Sequence, residues 1–323
     1  MSVYRLVYKT DGSLEGLLTA IRMALLQGDE PAEIRLDETD QATLFDSDIP
    51  VLTDLDTAEQ LLMKIVERLG ASAYENVKTL FLSEDPRRGG VAFRYLQYTL
   101  AKGQRSLGHL AHPAVADAED IMRQVEKEAH FMIQFIRFSE IKGDGRFGRL
   151  AGQAAAVQGV PGLPASDWPD LPPLSDQPSP SNQLQLSVPG APKAGLFYSH
   201  IQPKASVLPL IMGHFAARYN IQAFIIHDSR HGLAGFFDTQ RWWLSPDDQL
   251  RKILNKAGYD SRVSLSEDGY EELWRVFYRT LTIKERKNPV CQRNLMPKRF
   301  WGDMCEQRLP YQRQGTARAG EQA

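Results

Sequence analysis

The six residues His227-Asp228-Ser229-Arg230-His231-Gly232 place several chemically capable side chains on one short stretch. A histidine accepts a proton near neutral pH, a carboxylate orients it, and an arginine holds an anion. His214 and Arg218 stand at i and i+4 on the helix expected just upstream, so they could converge on the same place. His227, Asp228, Arg230 and His214 would then form a phosphate-handling catalytic site with a general base. The ordinary alternative is a hairpin turn, which favours Asp, Ser and Gly in any case, with a His–Asp neighbour pair that serves only the backbone.

Metal binding is not expected. His227 and His231 have i, i+4 spacing, which helps only on a helix, and strand plus turn is predicted here. The paired-histidine zinc motif, the phosphate-loop lysine motif, the dinucleotide-binding glycine fingerprint and the nucleophile elbow are all missing from the sequence. No cofactor is expected on this chain.

A second stretch has a different chemistry. Lys284, Arg286, Lys287, Arg293, Lys298 and Arg299 follow one another with a single acidic residue among them, and Asn288, Gln292 and Asn294 are interspersed. Lysine and arginine neutralise phosphates, and amides bond to phosphate or base edges. Pro289 and Pro297 prevent one continuous helix, so these groups are expected on a bent segment. Trp301 or Phe300 could stack a base. The predicted nucleic-acid contacts are Arg286, Lys287, Arg293, Lys298, Arg299 and Trp301. The rival is a solvated basic face that pairs with the acidic amino-terminal part, where residues 1–60 hold thirteen acidic and four basic side chains. A third feature is a polar row of His130, Gln134 and Arg137, at i, i+4 and i+7 of a predicted helix.

The elements that must position these groups are legible as periodicities. Val3–Tyr8 reads as a strand. Leu14, Leu17, Leu18, Ile21 and Leu25 then recur at helical spacing. Short strands are predicted at Glu33–Leu36, Thr43–Phe45 and Pro50–Leu52. Asp56 is expected to cap a helix that Gly70 stops. Further helices are predicted over Ala71–Leu82, Val91–Ala101 and Ala114–Ile136, although Gln134–Ile141 could already be extended. Arg87, Arg88, Lys102 and Arg105 flank the helix beginning at Val91 and could touch phosphate; solvation or the helix dipole is the ordinary account of them. After residue 195 come a strand (LFYSHI), a helix over Val207–Tyr219, and an antiparallel meander with HDSRHG as its first turn and DTQ as its second. A helix follows over Asp247–Ala257. Tyr270, Leu273, Trp274, Phe277, Tyr278 and Leu281 form one broad apolar helical face, which reads as core.

Composition sets outer limits. The chain has 323 residues and a net charge of −2, so no bulk electrostatic case for nucleic acid exists. Two cysteines, Cys291 and Cys305, exclude a disulfide framework, a four-cysteine zinc site and an all-cysteine iron–sulfur cluster within the chain. No secretory pattern opens the sequence, and no apolar run approaches the roughly 20 residues that cross a bilayer. A cytoplasmic protein with no membrane contact is expected. Residues 143–194 are dense in Pro, Gly and Ser and carry no periodic apolar stripe, so a disordered insertion is predicted there. The tail after Pro310 is expected to be disordered as well.

The order of four motifs resembles a bacterial family assigned to DNA metabolism or DNA repair. They are DGSLEGLLTAI, VEKEAHFMIQFIRF, VLPLIMGHFAARY followed by FIIHDSRHGLAGFFD, and ELWRVFYRTLTIKERKNPVCQRNLMPKRFWGDMCEQ. That family has a central domain of unknown function, accompanies a radical-SAM DNA modification or repair protein, and is sometimes fused to a uracil-DNA glycosylase. The resemblance implies an accessory protein that handles DNA, with radical chemistry on a partner chain. No glycosylase is expected on this chain after Trp301, and the cysteines for a radical-SAM cluster are lacking. Where the family joins two strands by a short turn, this chain places the Pro-rich stretch between Ile141 and Leu196, which implies an insertion at a hairpin tip.

The expected fold is therefore α+β: an antiparallel sheet with helices packed on it, interrupted by the Pro-rich insertion. Residues 1–142 and 195–309 would form one composite unit. Two functional alternatives stand beside the DNA-binding accessory: a phosphate-processing enzyme using the His227–Arg230 turn, and a protein–protein adaptor that does not touch DNA.

Overall fold

A computed structural model describes residues 5–36, 46–141, 196–256, 280 and 288–304. The amino-terminal part is a three-stranded sheet of β1 (Arg5–Lys9), β2 (Glu33–Arg35) and β3 (Asp46–Pro50), in the order β2-β1-β3. Both pairings are parallel. The antiparallel sheet expected from sequence is therefore corrected here. The physical reason is α1 (Leu14–Gln27), which lies between β1 and β2. A hairpin returns the chain antiparallel, whereas a helix carries it back over the sheet to start a parallel strand.

Ser13 caps α1 by accepting the Gly16 amide at 2.8 Å, and Gly28 closes it in the left-handed region at φ 73°. Then follow α2 (Leu55–Leu69), α3 (Ala71–Phe81), α4 (Arg88–Lys102) and α5 (Pro113–Phe135). The cap of α2 is Asp54, not Asp56: its carboxylate accepts the amide of Asp56, which already belongs to the helix. The third strand likewise lies earlier than Pro50–Leu52. The strand expected over 43–45, and the aromatic and basic stretches over 270–279 and 281–287, lie outside the described residues.

The second sheet contains β4 (Ser139–Ile141), β5 (Leu196–Ile201), β6 (Phe224–Asp228), β7 (Leu233–Phe237) and β8 (Trp242–Pro246), in that order. It is mixed. β4/β5, β6/β7 and β7/β8 are antiparallel, while β5/β6 is parallel because α6 (Leu208–Arg218) crosses between them. HDSRHG and DTQ turn the meander where the sequence places them. Ile141 pairs with Leu196, so the Pro-rich stretch leaves and re-enters the structure at adjacent strand ends. The fold as a whole is mixed α/β.

Helix α5 links the two parts. Val115, Ala118 and Ile121 pack with Tyr8, Leu61 and Phe93 around the first sheet. One turn further, Val125 and Met132 pack with Ile211, Phe215, Phe224, Ile226 and Phe237 on one face of the second sheet. The opposite face of that sheet buries Ile225, Ala234 and Phe236 against Leu250 of α7 (Asp247–Lys256). Strand β6 thus alternates between two cores, as its pleat requires.

Candidate functional site

That alternation decides how the HDSRHG residues are used. His227 shares a face with Ile225, and Asp228 shares the other with Ile226, so the two neighbours do not form a dyad.

On the first face, Tyr198 of β5 meets His227 Nδ1 at 2.8 Å, and Asp247 Oδ2 lies 3.7 Å from Nε2. Burial pushes the Tyr198 hydroxyl up to about 12, so it stays protonated and donates to Nδ1. The imidazole proton then sits on Nε2, facing Asp247 at a distance too long for a hydrogen bond. Burial, reinforced by His200, holds His227 below the ordinary histidine range and outweighs the upward pull of Asp247. His227 is a neutral side chain whose Nδ1 lone pair is already engaged.

On the second face, Asp228 is fully buried and closes the turn: one oxygen accepts the amides of Arg230 at 3.1 Å and His231 at 3.2 Å. Its other oxygen meets His231 Nδ1 at 2.6 Å. His231 Nε2 is 3.1 Å from Glu84 Oε1 without a hydrogen bond between them. Glu84 Oε2 accepts from Arg230 at 2.7 Å. Burial alone would raise the Glu84 carboxyl, but the Arg230 hydrogen bond and the charges of His231, Arg230 and Arg88 together hold it below its usual value. A relay of Asp228, His231, Glu84 and Arg230 thus ties the hairpin to the α3–α4 loop.

Arg230 opens onto a cleft of about 820 Å³, lined from four other segments by groups including Glu84, Lys127, Glu128, Lys204, Asn294 and Arg299. Glu128 of α5 is buried, accepts the Lys204 amide at 2.7 Å, and binds the Arg299 guanidinium. Asp85 is paired with Arg87 at 2.7 Å, and that hydrogen bond keeps its carboxyl low. The three carboxylates of the cleft are therefore each answered by an arginine. The exposed ammonium groups of Lys127 and Lys204 leave it with a positive balance.

The remaining predicted residues separate. Asn288 caps the short helix α8 (Pro289–Leu295), on which Arg293 is exposed and bonds back to the Pro289 carbonyl at 3.1 Å. Lys298 lies over the Trp301 ring at 5.9 Å, and Trp301 donates to the Met296 carbonyl at 3.0 Å. Phe300 is core, packed against Phe131 and Phe135. Arg286 and Lys287 lie outside the described residues. His214 packs edge-on against Phe215, with burial and Arg218 lowering its pKa, and among the described residues it shares no hydrogen bond with the turn. His130 and Gln134 bond each other at 2.7 Å on an exposed face. Arg137 leaves that row because α5 ends at Phe135, and it bonds the Gln134 and Ile136 carbonyls instead.

Sequence reading missed Tyr198, His200, Glu84, Glu128, Lys127 and Lys204. Only the alternation of LFYSHI, which puts Tyr198 and His200 on one face, could have signalled two of them.

The profile of one family, DUF4130, described as a domain of unknown function, matches residues 86–157 and 187–306. The chain belongs to that family. The DUF4130 match includes most of the cleft: α5, the β5–α6 loop, the hairpin and the segment from Asn294 to Arg299. Glu84 and Asp85 lie just before it. No curated protein and no solved structure matches the chain. Among the described residues, no helix is long and apolar enough to cross a membrane, and no three or more His, Cys, Asp or Glu side chains are placed to hold a metal ion together.

Proposed function

We propose that the protein is an accessory factor of DNA metabolism or repair that holds a nucleic-acid backbone in the cleft between the hairpin and the carboxy-terminal basic segment. Radical chemistry belongs to a partner chain, as the family resemblance implies. The observation that carries this reading is the cleft itself: Arg230 and Arg299, from two stretches singled out separately, line one groove with Lys127, Lys204 and Asn294. Its carboxylates are neutralised internally, so the lysines are available for phosphate, and Arg230 and Arg299 are held in fixed positions by Glu84 and Glu128.

Fluorescence anisotropy of a labelled oligonucleotide tests it. Backbone binding predicts affinity that falls steeply between 50 and 200 mM salt. Replacing Lys127 and Lys204 together by alanine should weaken binding several-fold and flatten the log–log salt slope by about 1.4–1.8, two phosphate contacts' worth. Unchanged affinity and slope would remove the cleft from the account.

A further inference from the structure

We infer that Ser229 is a nucleophile activated by His200, a reactive centre separate from the cleft and independent of the nucleic-acid reading. Strands β5 and β6 run parallel, with His200 paired to His227 and Ile201 to Asp228, so their carboxyl ends reach the same edge of the sheet. That edge is where parallel strands present ligand-facing groups. There Ser229 Oγ lies 2.7 Å from His200 Nε2 and 3.2 Å from Gln202 Nε2. The Gln202 amide nitrogen only donates, so it occupies a lone pair of the hydroxyl oxygen. With His200 in the Nδ1–H tautomer, the hydroxyl proton points to the lone pair of His200 Nε2. This is the arrangement by which an imidazole activates a serine.

A turn serine ordinarily spends its hydroxyl on the turn's own backbone. Here Asp228 already accepts the amides of Arg230 and His231, which leaves Ser229 Oγ to the two side chains of β5 and its extension. The neighbouring ring, His227, stands edge-on to His200 at 5.7 Å and is held below the ordinary histidine range, so it adds no positive charge there at neutral pH. Ser229 and His200 are half-buried and Gln202 is exposed, so a small molecule can reach them.

The substrate class is an ester of a carboxylic or phosphoric acid. Oγ forms a bond to the acyl carbon or phosphorus, and the bond to the leaving oxygen breaks. The serine proton passes to His200 Nε2 and on to the departing alkoxide. Water then hydrolyses the serine ester, which restores the hydroxyl.

The full chain treated with an alkyl fluorophosphonate tests this directly: Oγ–P forms, P–F breaks and fluoride departs. One adduct, mapped by peptide mass spectrometry to Ser229, is expected. It should be absent in Ser229→Ala and form at least tenfold more slowly in His200→Gln. In the wild-type chain the labelling rate should reach a plateau with rising pH rather than follow hydroxide. Hydrolysis of p-nitrophenyl acetate and of p-nitrophenyl phosphate then separates the two ester types. No adduct, an adduct elsewhere, equal labelling of His200→Gln, or a rate that climbs steadily to pH 10 would each reduce the His200–Ser229 contact to a structural hydrogen bond.

Discussion

Two adjacent residues, His227 and Asp228, illustrate how far side-chain type can be trusted without backbone geometry. Their neighbourhood suggests a catalytic pair, but the pleat of β6 sends one to each core, and each takes a partner distant in sequence. Asp228 closes its turn and holds His231; His227 is held by Tyr198. The lowered pKa of His227 makes a prediction about stability. Its folded value lies below the ordinary 6.5, so as pH falls the unfolded chain takes up the proton first. Stability is then complete above that value and declines below it, by at most about 1.4 kcal/mol per pH unit for one such group. Urea midpoints measured at pH 7.5 and 5.5 should differ, with the acidic sample less stable. His227→Gln should reduce that difference, and His214→Gln should reduce it less, because His214 is more exposed to water. The types of these residues were legible in the sequence. Their partners were not, because Tyr198 is 29 residues from His227, and Glu84 is 146 from Arg230.

At the scale of elements, helix periodicity and turn chemistry carried most of the reading: α1 to α6, the two hairpin turns and the stop at Gly70 lie close to where apolar spacing and breakers put them. Strand direction was not legible, since a short apolar strand reads alike in parallel and antiparallel sheets. What fixes direction is the helix between strands and the way it docks. α4 docks at Gly89, where a β-carbon would sit 2.2 Å from the Ile34 carbonyl oxygen of β2. That oxygen belongs to a sheet strand and cannot swing aside as a side chain could. Gly89→Ala is therefore expected to destabilise the protein by about 1–3 kcal/mol, the usual range for overpacking. Thermal melting should show a drop of several degrees, whereas Gly108→Ala, with open space around it, should melt close to the parent. The boundary left open after Gln134 resolves in favour of helix through Phe135, and this releases Arg137 from the expected row to satisfy carbonyls at the helix end.

For the whole molecule, α5 is the member that lets distant segments meet, because its two halves serve two cores and Glu128 anchors both the β5–α6 loop and Arg299. Ile141 and Leu196 pair directly across β4 and β5. Replacing residues 143–194 by a short glycine-containing turn should leave the melting temperature within a few degrees, because Ile141 and Leu196 already pair and closure entropy changes only slowly with the length of a connection. Loss of cooperative unfolding would show instead that the segment contributes to the core. The cleft was invisible in the sequence, since net charge is near zero and its lysines belong to no basic run. Its role is most directly measured by charge reversal. Lys127→Glu with Lys204→Glu should abolish oligonucleotide binding at 100 mM salt, while Lys64→Glu with Lys102→Glu, exposed lysines outside the cleft lining, should retain most of it. Equal loss in both pairs, or none in either, would contradict a nucleic-acid backbone held in this cleft.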